Sequence, residues 1–180
     1  MNGDRIRELL DTGTTVLMPG VWDALSARLT AEAGFEVCFV SGYASAATQL
    51  GLPDFGYLTQ TEIAEVARRV CTAVPQMAVV ADGDTGHGNP LNTIRTVELF
   101  ERAGAAGIFL EDQVWPKKCG HMAGKRVVPR DEWLAKLRAA VASPIAANRR
   151  RMKDSSRKVA SVPGDYFSTG AGYSSSSGAT

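Results

Sequence analysis

The stretch VVADGDTGHGN, residues 79–89, decides the fold because it joins a strongly apolar segment to a loop rich in acids and glycines. The apolar run from Met77 to Ala81 ends at Asp82, and a second carboxylate follows at Asp84. Glycines at 83, 86 and 88 make the loop too flexible for a helix. The pattern predicts a buried strand whose end delivers two acids to one place.

Apolar strands and amphipathic helices alternate on both sides of this stretch. The predicted strands are 14–20, 36–42, 76–82 and 106–112. The predicted helices are 22–34, 59–74, 90–104 and 129–141. Buried strands that alternate with helices, without a hairpin signal, predict an α/β fold with a parallel sheet. Parallel sheets bind their ligands at the carboxyl ends of their strands.

Two of the helices carry clear local signals. Thr59 and Glu62 form a capping box at the start of helix 59–74. In helix 22–34, Leu25, Leu29 and Ala33 recur every four residues, which predicts a helix, and Gly34 suits its C-terminal cap.

Composition excludes several classes of function. The 180 residues suffice for one ordinary domain, and a formal net charge of +1 gives no reason to expect a nucleic-acid partner. The three cysteines form neither a disulfide framework nor a zinc pattern, and no apolar stretch approaches the ~20 residues of a membrane span. We therefore expect a cytoplasmic protein without a membrane partner, with a mitochondrial location left open.

The acids after the third and fourth strands are candidate metal ligands. Asp82 and Asp84 are two residues apart, so on an extended segment their side chains point the same way. Two close carboxylates repel unless a cation holds both, and Mg²⁺ commonly binds one or two carboxylates plus water and substrate oxygens. Glu111, at the end of the next strand, strengthens this interpretation. The simpler alternative is that these acids are ordinary turn residues.

The stretch KKCGH, residues 117–121, places a thiol in a basic setting. Lys117, Lys118 and His121 surround Cys119, and such surroundings favour a thiolate that acts as acid, base or nucleophile. A solvated basic loop with an incidental cysteine is the simpler alternative. For His87, in the glycine-rich loop, exposure to solvent is the favoured interpretation, and a position lining the site is the alternative.

Several segments together carry a family resemblance: PGVWDALSARLTAEAGF, VSG, LGLPDFGYLT, ADGDTGHGN, LNTIRTVELFERAGAAGIFLEDQ and KKCGH, in this order. They resemble the isocitrate lyase/phosphoenolpyruvate mutase superfamily over residues from about 14 to 142. The resemblance implies a (β/α)₈ barrel, usually tetrameric, with the last helix exchanged between subunits.

The resemblance also implies a metal site. Asp82 matches the carboxylate that holds Mg²⁺, with Mn²⁺ as an alternative, either directly or through water. Asp84 and Glu111 match its companions. Asp54 matches an acid near the metal and the mobile gate, and is a candidate substrate-binding residue.

The remaining site residues follow from the same resemblance. Ser41 and Gly42 match the start of a segment that binds a substrate carboxylate, and Tyr43 stands where the family pattern has a glycine, so this pocket differs. Cys119 matches a lyase cysteine that protonates the product, with Lys117 and His121 tuning its pKa or binding carboxylate. The loop 112–129, in which Gly120 is a further substrate-binding candidate, is expected to close over the substrate.

The function implied is that of a Mg²⁺-dependent lyase or hydrolase. Such an enzyme cleaves a carbon–carbon bond of a small 2-hydroxy- or 2-oxodicarboxylate, of the methylisocitrate or oxaloacetate type, through an enolate-like intermediate. The alternatives are a carboxyvinyl-carboxyphosphonate phosphorylmutase and a non-catalytic half-barrel that binds or assembles with a full-length relative. Cys119 favours carbon–carbon cleavage, because the phosphonate-forming mutases differ in this loop.

The family pattern stops near residue 148. A strand begins at ASPIAAN, residues 142–148, but residues 148–180 lack apolar periodicity and carry six basic and two acidic residues. This composition predicts a disordered tail. We expect residues 1–147 to form a partial barrel of about four to five β/α units, poorly active or inactive alone and of doubtful homo-oligomeric state.

Overall fold

The strands form one parallel sheet in the order of the sequence. A computed structural model describes residues 2–143 of the chain. Its strands are β1 Gly20–Val21, β2 Val37–Val40, β3 Ala78–Asp82 and β4 Gly107–Phe109. They pair in the order β1-β2-β3-β4, and every neighbouring pair is parallel. This confirms the predicted α/β class.

Six helices are formed by the described residues. They are α1 Asn2–Asp11, α2 Ala24–Glu32, α3 Gly42–Leu50, α4 Gln60–Ala73, α5 Pro90–Ala103 and α6 Arg130–Ala142. The capping box predicted for α4 is present, with Thr59 and Glu62 as its two partners. Among the helices of residues 2–143, none combines the length and apolarity needed to cross a membrane.

The strand order is that of the first half of a (β/α)₈ barrel. Consecutive parallel strands joined by helices are the repeating unit of that fold. The predicted strand 142–148 lies largely, and the predicted disordered tail entirely, outside the described residues.

The first strand is shorter than predicted and lies later in the chain. Gly20 pairs with Phe39, so Met18 is level with Val37, where β2 begins. In this register residues 14–17 fall opposite residues 33–36, which precede β2.

The helix predictions are confirmed in part. The helix predicted over 22–34 is present as α2, in which Leu25 is 66% and Leu29 57% exposed while Ala27 and Thr30 are buried. The α3 helix was not predicted at all. Its signals are Ser41, whose hydroxyl caps the first turn, and a left-handed glycine at its C-terminal end.

The core holds β3 at its centre. All five residues of this strand are buried. Buried side chains of α4 and α5, including Ile63 and Phe100, pack on one side of the sheet. On the other side, Ile6 and Leu9 of α1 pack with Val80 and its neighbours. Strand β3 is therefore rigidly held where it delivers Asp82.

Candidate functional site

The polar site is built where β2 and β3 end. Asp82 is the last residue of β3, and Gly42, the first residue of α3, donates its N–H to Asp82 Oδ2 at 3.2 Å. A Cβ atom at position 42 would lie 2.6 Å from the same oxygen. Only glycine allows this helix to start so close to the carboxylate.

Asp84 reaches the site by a different backbone path from the one predicted. Its φ of +48° is left-handed, not extended, so the argument from alternation along a strand is wrong here. Its N–H donates to Asp82 Oδ1 at 3.0 Å, and its carbonyl accepts from the N–H of Glu111 at 2.7 Å. A left-handed backbone at a non-glycine residue costs on the order of 1 kcal/mol and persists only where its surroundings impose it.

The ammonium group of Lys117 lies among three carboxylates. Its Nζ atom is 3.0 Å from Asp54 Oδ1 and 4.0 Å from Asp82 Oδ2, and it also contacts Asp84 Oδ1. The Lys117 side chain is 1% exposed. One buried positive charge thus faces three negative charges, which leaves the cluster electrically negative.

Burial and the neighbouring charges shift the pKa values of Asp84, Glu111 and Lys117. Burial, together with Asp82 and Asp54, raises the pKa of Asp84 to about 7 against the opposing effect of Lys117. Burial also raises the pKa of Glu111. Burial alone would lower the pKa of Lys117, but Asp82 and Asp84 outweigh it and raise that pKa. Lys117 therefore stays charged, and Asp84 takes up a proton far more readily than an ordinary aspartate does.

His87 lies beside this cluster and is not exposed. Its side chain is 7% exposed, with Nδ1 3.2 Å from Thr96 Oγ1 and Nε2 3.6 Å from Asp84 Oδ2. Burial lowers the pKa of His87 to about 4. The imidazole is therefore neutral near pH 7, and it lies against the carboxylate of Asp84.

The other predicted residues surround the cluster at different depths. Cys119 is buried in the loop 112–129, two residues after Lys117, whereas Gly120 and His121 are exposed. The Ser41 hydroxyl accepts a backbone N–H of the first turn of α3 at 3.2 Å. Tyr43 is 56% exposed. Asp54, Asp82, Asp84 and Lys117 are thus brought into contact, with Glu111 bonded to the same loop.

Two residues of the site were missed from the sequence. Gln113 is buried and donates to the side chain of Glu111. Lys136, buried on α6, donates to the carbonyl of Thr85 at 3.2 Å and so connects α6 to the loop that carries Asp84. The signal for Gln113 is its position two residues after Glu111; nothing in the sequence singles out Lys136.

The chemistry of this cluster fits a hard divalent cation. Its ligand atoms are carboxylate oxygens, which Mg²⁺ prefers, and its net charge is negative. Within residues 2–143, however, no three His, Cys, Asp or Glu side chains are arranged as ligands of one ion. The cation that the acids share in this structure is Lys117, and the assignment of Asp82, Asp84 and Glu111 as metal ligands stays a prediction.

Comparison with known proteins identifies the family. Residues 6–152 match the family described as phosphoenolpyruvate phosphomutase. The petal death protein of Dianthus caryophyllus is 56% identical over 135 residues, which are 75% of this chain and 42% of that protein. The chloroplastic carboxyvinyl-carboxyphosphonate phosphorylmutase of Arabidopsis thaliana is 54% identical over 136 residues, which are 76% of this chain and 40% of that protein. The chain therefore spans less than half the length of these curated relatives.

Solved structures show the same relationship in three dimensions. Oxaloacetate acetylhydrolase in complex with 3,3-difluorooxalacetate superposes with a TM-score of 0.77 at 40% identity, covering 84% of this chain and 50% of that one. Phosphonopyruvate hydrolase in complex with oxalate and Mg²⁺ superposes with a TM-score of 0.71 at 30% identity, covering 79% and 48%. The chain belongs to the phosphoenolpyruvate phosphomutase family, within the phosphoenolpyruvate mutase/isocitrate lyase superfamily.

Proposed function

We propose that this chain carries the site of a divalent-metal-dependent lyase or hydrolase that cleaves a carbon–carbon bond of a small 2-hydroxy- or 2-oxodicarboxylate. The observation that carries the proposal is the buried cluster of Asp54, Asp82 and Asp84 around the ammonium of Lys117. Structural ion pairs seldom bury three acids around one base, because the unpaired charges are costly to desolvate. Such an arrangement is typical of sites that receive a further charged ligand.

The residues around the cluster are suited to binding a carboxylate substrate. The first N–H groups of a helix have no acceptor within the helix, and they attract anions. In α3 the N–H of Gly42 is bonded to Asp82, which leaves that of Tyr43 as the donor for a substrate carboxylate. Lys117 adds a permanent positive charge close by.

Proton transfer is assigned to Cys119. In the lyase reaction, cleavage of the carbon–carbon bond leaves its electron pair on a carboxylate-stabilised carbon, and the thiol of Cys119 donates its proton to that carbon. The loop 112–129 carries both Lys117 and Cys119, so closing it over the substrate would exclude water from the carbanion.

A bound Mg²⁺ ion would supply Lewis-acid stabilisation of the enolate charge. Asp82, Asp84 and Glu111 would hold it. Support for this choice of metal comes from the carboxylate ligand set and from the phosphonopyruvate hydrolase structure, whose bound ligands are oxalate and Mg²⁺.

The test is an assay of the purified chain with Mg²⁺ against 2-methylisocitrate, 2,3-dimethylmalate and oxaloacetate, with products identified by NMR. Because the partial barrel is expected to be poorly active alone, we expect slow turnover, which Asp82→Asn abolishes and Cys119→Ser lowers. Cys71→Ala, which changes a buried cysteine of α4, is the matched control and should retain activity. Turnover that survives Asp82→Asn would refute the proposed site.

Two other functions are favoured by single observations. Similarity to the Arabidopsis phosphorylmutase favours carbon–phosphorus chemistry, which ³¹P NMR with carboxyvinyl-carboxyphosphonate would detect. A non-catalytic half-barrel that only binds or assembles with a full-length relative is the second alternative, in which the acidic cluster around Lys117 would serve metal binding alone. Binding of Mn²⁺, measured by electron paramagnetic resonance, without turnover of any substrate would support that second alternative.

A further inference from the structure

The side chain of Gln113 has an unusual set of contacts within the loop 112–129. It is 7% exposed. Its Nε2 atom donates to the carbonyl oxygen of Lys118 at 2.9 Å, and its Oε1 atom accepts the N–H of Lys118 at 3.1 Å. The amide therefore pairs with both polar groups of one residue, much as a neighbouring strand would.

The second N–H of the same amide is also used. It donates to Glu111 Oε2, an acid of the candidate site. With both N–H groups and the oxygen engaged, the orientation of the amide is fixed: exchanging its oxygen and nitrogen would turn an acceptor toward Glu111 and the carbonyl of Lys118. Position 113 thus needs a donor and an acceptor at the same time.

These contacts bear directly on where Lys117 lies. The base of the loop is closed by backbone bonds, from Val114 N–H to the carbonyl of Arg126 at 2.8 Å and from Val128 N–H to the carbonyl of Asp112 at 2.9 Å. Neither bond reaches residues 115–118. Gln113 ties this segment back to the end of β4, through the residue next to Lys117.

We propose that Gln113 is a positioning residue, which holds the ammonium of Lys117 within the carboxylate cluster and keeps Glu111 turned toward the same site. Its consequence for catalysis rests on the proposed function, but its consequence for Lys117 does not. If the amide is lost, the segment 115–118 loses its attachment to the end of β4, and we expect Lys117 to gain access to water.

The test uses Gln113→Glu in the full chain, because this change keeps the size of the side chain and removes both N–H donors. Lysines are acetylated with an amine-reactive ester and the labelling of each is measured by mass spectrometry. We expect labelling of Lys117 to rise at least tenfold, while Lys136, also buried, stays protected and reports that the chain is folded. The matched control is Gln76→Glu, at an exposed glutamine, which should change neither.

A spectroscopic measurement separates positioning from a general loss of stability. A buried ammonium exchanges its protons slowly with water, so Lys117 should give a ¹H–¹⁵N signal, assigned by its loss in Lys117→Met. Gln113→Glu should remove this signal and retain that of Lys136. If Gln113→Glu also exposes Lys136, then Gln113→Met removes the same donors without adding a charge. Protection of Lys117 in either folded variant would overturn the proposal, whether or not the chain turns over a substrate.

Discussion

Asp84 and His87 should carry opposite pH dependences of stability that cancel in the unmodified chain. Burial lowers the pKa of His87 from 6.5 to about 4. Burial and Asp82 raise the pKa of Asp84 from 3.8 to about 7. Between about pH 4 and pH 6.5 the unfolded chain holds a proton on His87, whereas the folded chain holds one on Asp84. The number of protons bound by the two groups is then the same in both states. Together they therefore leave the free energy of unfolding almost independent of pH.

Removing either group should expose the dependence of the other. In Asp84→Asn only His87 remains, its unfolded state binds more protons, and the free energy of unfolding falls as the pH falls from 6.5 toward about 4. In His87→Asn only Asp84 remains, its folded state binds more protons, and the free energy falls as the pH rises from 3.8 through about 7. Each slope corresponds to nearly one proton, or roughly 1.2 kcal/mol per pH unit. Over the full windows the losses reach about 3 kcal/mol for His87 and about 4 kcal/mol for Asp84.

Urea unfolding at several pH values within this window measures these slopes, with tryptophan fluorescence as the signal. EDTA is needed throughout, because a bound divalent cation would favour the charged form of Asp84. Asparagine is the replacement at both positions because each has a positive φ, +48° and +58°, which asparagine tolerates well. Asp131→Asn, which removes an exposed carboxylate from the first turn of α6, is the control.

The comparison isolates the two groups from their charged neighbours. Lys117, Asp54, Asp82 and Glu111 face the pair in all the proteins compared, so their own titrations cancel largely in the differences between slopes. Slopes of opposite sign in the two variants are the expected result. If both variants kept the slope of the unmodified chain, the burial and coupling inferred for Asp84 and His87 would be wrong.

Three further changes test the local geometry, each measured by urea unfolding. Gly42→Ala should destabilise the chain by about 1–3 kcal/mol, because its Cβ atom would lie 2.6 Å from Asp82 Oδ2. Gly56→Ala should cost a similar ~1–3 kcal/mol and alter the fluorescence of Trp115, whose ring would lie 2.3 Å from the new Cβ atom. Asn89→Ala should lower the free energy of unfolding by about 1 kcal/mol, because the Asn89 side chain accepts two N–H groups at the start of α5. An unchanged unfolding midpoint in any of the three variants would contradict the contact that the variant tests.

Local signals in the sequence predicted the elements whose determinants are themselves local. The capping box of Thr59 and Glu62 and the apolar run that ends at Asp82 lie within a few residues of what they specify, and both are present in the fold. The spacing in α2 predicted a helix but not which of its faces is buried, because burial depends on what packs against the helix. A regular spacing of leucines cannot show that Ala27 and Thr30, rather than Leu25, meet the core.

In the candidate site, too, local sequence predicted some features, whereas others depend on residues that are distant in the chain. Asp82 and Glu111 were placed at the correct edge because the carboxyl ends of parallel strands meet there. Lys117 and Asp54 are 63 residues apart in sequence, and no local pattern around either residue predicts that they pair. The buried position of His87 likewise depends on Thr96, nine residues away in α5.

The electrostatic reasoning from the sequence was nevertheless sound in one respect: closely spaced acids require a cation. The structure satisfies that requirement in part with Lys117, whose single charge cannot balance Asp54, Asp82 and Asp84. Burial, together with the charges of Asp82 and Asp54, raises the pKa of Asp84 despite the presence of Lys117. A cluster that were only structural would be more stable with fewer acids, since unpaired buried charges cost several kcal/mol in proteins. The surplus negative charge is therefore the strongest physical reason to regard this part of the chain as a binding site.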